Sequence, residues 1–84
     1  KKIFVVVLHY KGKGFTYRCL SSLQKIKKRH FSLQIVLVDN HSPDGWLILK
    51  EISGDVLIRN SRNLGFAEGN NVGIRYALKK KADY

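Results

Sequence analysis

Eighty-four residues make one domain at most, and no apolar run approaches the roughly 20 residues a membrane-spanning helix needs. The single cysteine excludes an internal disulfide, and the Cys and His positions have no zinc-ligand spacing. A net charge of +10 favours anionic partners, namely nucleic acid, an acidic membrane surface or phosphorylated ligands, while 44% hydrophobic residues can still supply a core.

The chain opens with Ile3-Phe4-Val5-Val6-Val7-Leu8, continuous and β-branched rather than alternating, which predicts a strand over 3–9 buried on both faces. Gly12-Lys13-Gly14 reads as a loop. A helix is predicted over 16–29, with Thr16 as its N-cap and Phe15 and Leu20 as a hydrophobic staple. Leu20, Leu23 and Ile26 keep helical spacing, and Cys19 reads as a small buried apolar residue rather than a nucleophile. The basic run Lys25-Ile26-Lys27-Lys28-Arg29-His30 ends that helix, and Leu33-Gln34-Ile35-Val36-Leu37-Val38 then predicts a second buried strand over 33–39. Ser42-Pro43-Asp44 is a helix start, with a cap, a proline and a first-turn acid. The helix it opens is predicted over 43–52, with Trp46, Leu49 and Ile52 on one apolar face. A short strand follows over 56–60, then a helix over 67–80 in which Gly69, Gly73 and Ala77 line one side. Glycines there imply close backbone approach to the sheet or to a ligand. Residues 82–84 read as the lead-in to a fourth strand. Strand and helix alternate three times, so the expected fold is a three-layer α/β/α arrangement of parallel strands ordered 3-2-1.

Polar clusters follow each predicted strand, where ligands bind in open parallel sheets. They are His9-Tyr10-Lys11, Asp39-Asn40-His41-Ser42, and the segment 60–63 running into Gly65-Phe66-Ala67-Glu68-Gly69-Asn70-Asn71. A carboxylate at Asp39 can accept hydrogen bonds from a base or a ribose, or it can cap a turn with Asn40 or Ser42. Asn63, Asn70 and Asn71 carry amides that donate and accept, and the helix start beyond Gly65 offers N–H groups to phosphate. No phosphate-binding G-x-x-x-x-G-K-[ST] loop is present, Gly12-Lys13-Gly14 lacks the third glycine of a dinucleotide fingerprint, and His30 and His41 read as surface or capping residues. The basic runs at 25–30 and 79–81 lie at helix C-termini, where they complement the dipole or form a membrane-facing surface.

Four stretches together resemble the amino-terminal half of a family 2 inverting glycosyltransferase, nearest to the rhamnosyltransferase-like subset. They are Val5-Val6-Val7-Leu8-His9-Tyr10, Cys19-Leu20-Ser21-Ser22-Leu23, Ile35-Val36-Leu37-Val38-Asp39-Asn40-His41-Ser42-Pro43-Asp44-Gly45, and Arg59-Asn60 onward to Gly73. The resemblance implies the Rossmann-like half of a GT-A fold, with residues 1–84 as an incomplete nucleotide-sugar-binding part. It implies sugar transfer from a UDP- or dTDP-sugar to a glycan or lipid-linked acceptor, in polysaccharide biosynthesis at the cell envelope. By resemblance, Asp39 binds the pyrimidine base and His9 and Tyr10 line the nucleotide. Asn40, Asn63, Gly65, Phe66, Asn70 and Asn71 lie beside the base, ribose and diphosphate. Three positions depart from the family pattern: His9 and Lys11 stand where Asn is usual, and Asn70 where many relatives carry Arg. The family also implies a divalent metal, Mg or Mn, whose Asp-x-Asp ligands follow the strand that Tyr84 would begin, so no metal ligand and no catalytic residue is expected here. The fragment alone is expected to be inactive. The implied location is cytoplasmic, with peripheral contact to an acidic membrane face. The competing expectation is a noncatalytic basic α/β module that binds nucleic acid. Its aromatics are not interleaved with Lys and Arg as stacking platforms require, so nucleic acid is not the expected partner.

Overall fold

Three apolar runs form one parallel sheet in the computed structural model, which describes residues 2–27, 32–43 and 55–84. Strand β1 is Ile3–His9, β2 is Leu33–Asp39 and β3 is Val56–Arg59, in the order β1-β2-β3. The order and parallel sense are those expected from the sequence. Central β2 has Ile35, Val36, Leu37 and Val38 fully buried, each contributing about 1.5–3 kcal/mol of burial. An uninterrupted apolar run is what a strand covered on both faces requires.

Among the described residues two helices supply the cover, α1 at Lys13–Lys27 and α2 at Gly65–Lys79. Alternation along the strands assigns each helix a face. Odd-numbered Val7, Ile35, Leu37 and Leu57 pack with Leu20 and Leu23 of α1. Even-numbered Val6, Leu8 and Val38 lie against Gly69 and Gly73 of α2, and Phe4 meets Tyr76 edge-on at 6.4 Å between ring centroids. The fold is therefore helix, sheet, helix. The helix predicted over 43–52 lies outside the described residues apart from Pro43, as do Lys28, Arg29 and His30.

Several local expectations change. Helix α1 begins at Lys13, not Thr16, because Gly12 takes a φ of +66° that turns the chain straight from strand into helix. The Gly12 carbonyl accepts from the N–H groups of Phe15 and Thr16, so Thr16 lies inside the first turn and does not cap it. Phe15 is exposed under the Arg18 guanidinium and forms no staple with buried Leu20. Cys19 is exposed rather than buried.

The small-residue face of α2 is packed on the sheet. A Cβ on Gly73 would overlap Val6 Cγ1 and lie 3.0 Å from Val38 Cγ2. Gly73→Ala is expected to destabilise the chain in urea unfolding, because overpacking of about 1–3 kcal/mol exceeds the roughly 1 kcal/mol gain in helix propensity. A higher urea midpoint would show that the helix can ride outward.

Residues 83–84 lie along the outer edge of β1. Tyr84 donates to the Lys2 carbonyl at 3.2 Å and accepts from the Phe4 N–H at 2.9 Å, the pattern of a parallel pair. At the start of β3, Asp55 accepts from the Lys27 ammonium and from the Ile35 N–H, tying α1, β2 and β3 together. Burial raises the Asp55 carboxyl, but the Lys27 hydrogen bond, the Ile35 N–H and the Lys27 charge outweigh it and hold the pKa below its ordinary 3.8. A depressed carboxylate adds stability that is complete above the unfolded-state value and lost as pH falls through the folded one. Acid titration below about pH 3.8 is therefore expected to weaken the native chain, and Asp55→Asn should remove that limb of the profile. No described helix is long and apolar enough to cross a membrane.

Candidate functional site

In-register pairing aligns the last residues of the three strands: His9 opposite Asp39, and Asp39 opposite Arg59. All three are odd-numbered and share the α1 face, forming one row across the carboxyl rim. The residues that follow turn the other way, and there Asn40 and Asn60 face the start of α2. One rim thus carries two rows of opposite orientation.

The odd row pairs two buried residues with the part-exposed Arg59. His9 and Asp39 are both 0% exposed. His9 Nδ1 lies 2.5 Å from Thr16 Oγ1, so the first turn of α1 orients the imidazole. Asp39 Oδ2 accepts from Arg59 Nε at 3.1 Å, and Oδ1 accepts from the Ser42 N–H at 3.0 Å. Ser42 Oγ in turn accepts from the Lys11 N–H at 2.9 Å, joining the loop after β1 to the loop after β2. Both loops bend through a left-handed residue two positions past the strand, Lys11 at φ 60° and His41 at φ 62°. Such conformations in non-glycine residues cost about 1–3 kcal/mol and gather at ligand-binding edges.

The even row centres on Asn40. Its Nδ2 donates to Asn63 Oδ1 at 3.0 Å and to the Gly65 carbonyl at 3.1 Å. Its Oδ1 accepts from Asn60 Nδ2 and from the Leu64 N–H, both at 3.0 Å. Two donors and two lone pairs are the full capacity of an amide. Asn40 therefore clamps residues 60–65 against the end of β2. Asn63 Oδ1 also accepts from the Gly65 N–H at 2.8 Å, and Gly65, at φ +81°, opens α2.

The nine residues singled out from the sequence fall into four groups. His9 and Asp39 meet in the odd row, and Asn40, Asn63 and Gly65 meet in the even one. Tyr10 and Phe66 stand exposed at the rim, Phe66 at 80%. Asn70 and Asn71 bond along α2 itself, Asn70 to the Phe66 carbonyl and Asn71 to Glu68 Oε1. Sequence reasoning missed Thr16 and Arg59 as partners of the site. Arg59 had only its place near the end of the third predicted strand as a signal, because its register with Asp39 is set by the sheet. Thr16 had none, because its partner depends on where α1 packs.

Cations at Lys11, Arg59 and Arg62 surround this rim, and the first amides of α2 have no intrahelical acceptor. The arrangement suits an anion carrying hydrogen-bonding groups. It does not suit a divalent metal. Among the described residues no three His, Cys, Asp or Glu side chains gather, and both oxygens of Asp39 are engaged by Ser42 and Arg59.

No curated protein and no solved structure matches the chain. A family model does, the one described as Glycosyl transferase family 2, and it spans residues 4–80, from half-buried β1 to the end of α2. With that span covering both rim rows and all three strands, the chain belongs to glycosyl transferase family 2.

Proposed function

We propose that the chain binds the nucleotide of a UDP- or dTDP-sugar as the donor-binding part of an inverting, GT-A-type transferase of the rhamnosyltransferase-like kind. The observation that carries this reading is the row His9, Asp39, Arg59: a buried carboxylate paired with a guanidinium and in register with a buried imidazole at the carboxyl ends of parallel strands. Asp39 accepts from the base or ribose. Having no exposed surface, it is reached only when Arg59, whose side chain is 36% exposed, swings aside or bridges. Tyr10 and Phe66 give apolar surface to the nucleoside. Asn63, Gly65 and the α2 start lie beside the ribose and diphosphate, in a position that Asn40 sets. Asn70 and Asn71 join them by releasing their bonds within the helix. The acceptor is a glycan or a lipid-linked sugar, in the cytoplasm at an acidic membrane face, and metal ligands and the general base lie outside residues 1–84.

Calorimetric titration with UDP, dTDP, ADP and GDP tests this directly. The pyrimidine nucleotides should bind more tightly. Equal affinity for all four would overturn base recognition by Asp39. A transfer assay on residues 1–84 with manganese or magnesium should show no turnover, and turnover would contradict a purely donor-binding role.

A further inference from the structure

Lysines collect at the end of the molecule opposite the rim. Helix α1 connects the carboxyl end of β1 to the amino end of β2, and α2 likewise runs back down the sheet. Both helices therefore end beside the strand starts. Lys25 and Lys27 occupy the last turn of α1, Lys79 that of α2, and Lys80 and Lys81 follow. Lys2 and Lys80 line one groove of about 440 Å³ with Ser32 and Gln34 at the start of β2. The acids described at this end are already engaged, Asp55 by the Lys27 ammonium and Asp83 by the Lys2 N–H. Lys25, Lys79, Lys80 and Lys81 are left exposed with no acidic partner among the described residues, and Lys2 meets Asp83 through its backbone N–H and not its ammonium.

Apolar side chains stand among these cations. Ile26 is 49% exposed between Lys25 and Lys27, and Leu78 is 66% exposed beside Lys79. Leu78 shares a second groove, between α2 and the edge of β1, with Ile74, Ala82 and exposed Tyr84. Aliphatic groups cannot stack on bases, and with the ring of Tyr76 under Lys80 and edge-on to Phe4, Tyr84 is a lone exposed ring where a single-stranded nucleic acid needs a succession of them. Lysines around exposed Ile, Leu and Tyr match a lipid surface instead, where the ammonium groups meet anionic headgroups and the apolar groups enter the acyl boundary.

We infer that this basic end docks on an anionic lipid bilayer, with the sheet standing away from the surface. The seven residues of β1, at about 3.3 Å each, put the rim roughly 23 Å from the docked end. The donor site then stays open to solvent while the protein is bound.

The test is co-sedimentation with phosphatidylcholine vesicles with and without phosphatidylglycerol, across a salt series. Binding should require phosphatidylglycerol and weaken with salt. Lys79→Gln, Lys80→Gln and Lys81→Asn together should lower vesicle partitioning about 100-fold. Asn is chosen at 81 because Lys81 has a φ of 62°, which Asn tolerates. The matched rim variant, Lys11→Asn with Arg18→Gln and Arg62→Gln, removes the same charge and should lose far less. Ile26→Ser with Leu78→Ser should also weaken binding, most visibly at high salt. Circular dichroism on each variant separates lost binding from lost folding. Equal losses in the two charge variants, or no effect of the apolar pair, would overturn docking by this end. So would an oligonucleotide that competes the protein off vesicles and binds the apolar pair unchanged. The assay uses no nucleotide donor, so it holds or fails independently of the donor-binding reading.

Discussion

Asn40→Asp is expected to lower the unfolding free energy by about 2–4 kcal/mol, although the change is near-isosteric. The substitution keeps the oxygen that accepts from Asn60 and Leu64. It replaces the donor that reaches Asn63 Oδ1 and the Gly65 carbonyl, at 3.0 and 3.1 Å, with a second oxygen. Two hydrogen bonds become two contacts between acceptors, and a charge is placed at a residue only 2% exposed. Urea unfolding measures the loss. A pH series adds a signature that simple cavity formation lacks. Burial and facing acceptors raise the new carboxyl in the folded state, so the variant is most stable where that group is protonated. It loses stability as pH rises through the folded value. Asn63→Ala, which removes one arm of the clamp, should cost less, about 1 kcal/mol. An unchanged midpoint in Asn40→Asp, or a flat pH profile, would show that residues 60–65 are held by something other than this amide.

Asp39→Asn is expected to weaken UDP or dTDP binding by about 10–100-fold, corresponding to roughly 1.5–3 kcal/mol for hydrogen bonds to a charged acceptor. The asparagine oxygen can still accept from the Ser42 N–H, so the turn after β2 is retained. The amide nitrogen then faces Arg59 Nε, donor against donor, in place of the 3.1 Å ion pair. Some stability is lost with it. Arg59 is part-exposed and can reach water, so the loss should fall below the 3–5 kcal/mol typical of breaking a fully buried pair. Arg59→Leu separates the two roles. It removes the pair and leaves the carboxylate, so it should shift stability while leaving base recognition to Asp39. If calorimetry finds Asp39→Asn binding nucleotide as tightly as the native chain, capping the Ser42 turn and pairing with Arg59 are the whole role of Asp39.

The strands are legible in the sequence because strands covered on both faces must be apolar at every position. Val5-Val6-Val7-Leu8 and Ile35-Val36-Leu37-Val38 have no other economical fold, and the observed β1 and β2 coincide with the predicted 3–9 and 33–39. The helix starts are less legible. Gly12 and Gly65 look like loop residues in one dimension. Their positive φ values are what allow α1 and α2 to begin next to them, at Lys13 and at Gly65 itself, two to three residues before the predicted starts. Phe15 changes with the earlier start, since it then lies inside the first turn and not at the cap, whereas Cys19 is exposed because it lies about 100° around α1 from sheet-facing Leu20.

What the sequence alone determines is therefore the order of elements, the parallel sense and the gathering of polar residues on one rim, since each follows from local patterning. Tertiary structure decides what those residues do there. Asp39 is adjacent in sequence to Asn40, yet alternation sends one toward Arg59 and Ser42 on the α1 face and the other toward Asn60, Asn63, Leu64 and Gly65 on the α2 face. The small stripe of α2 could have met a ligand or the sheet, and the approach of Gly73 to Val6 and Val38 assigns it to the sheet. Arg59 and Thr16 become partners of the rim only through strand register and helix docking. These pairings join residues far apart in the chain, and only packing of the whole core brings them within hydrogen-bonding distance.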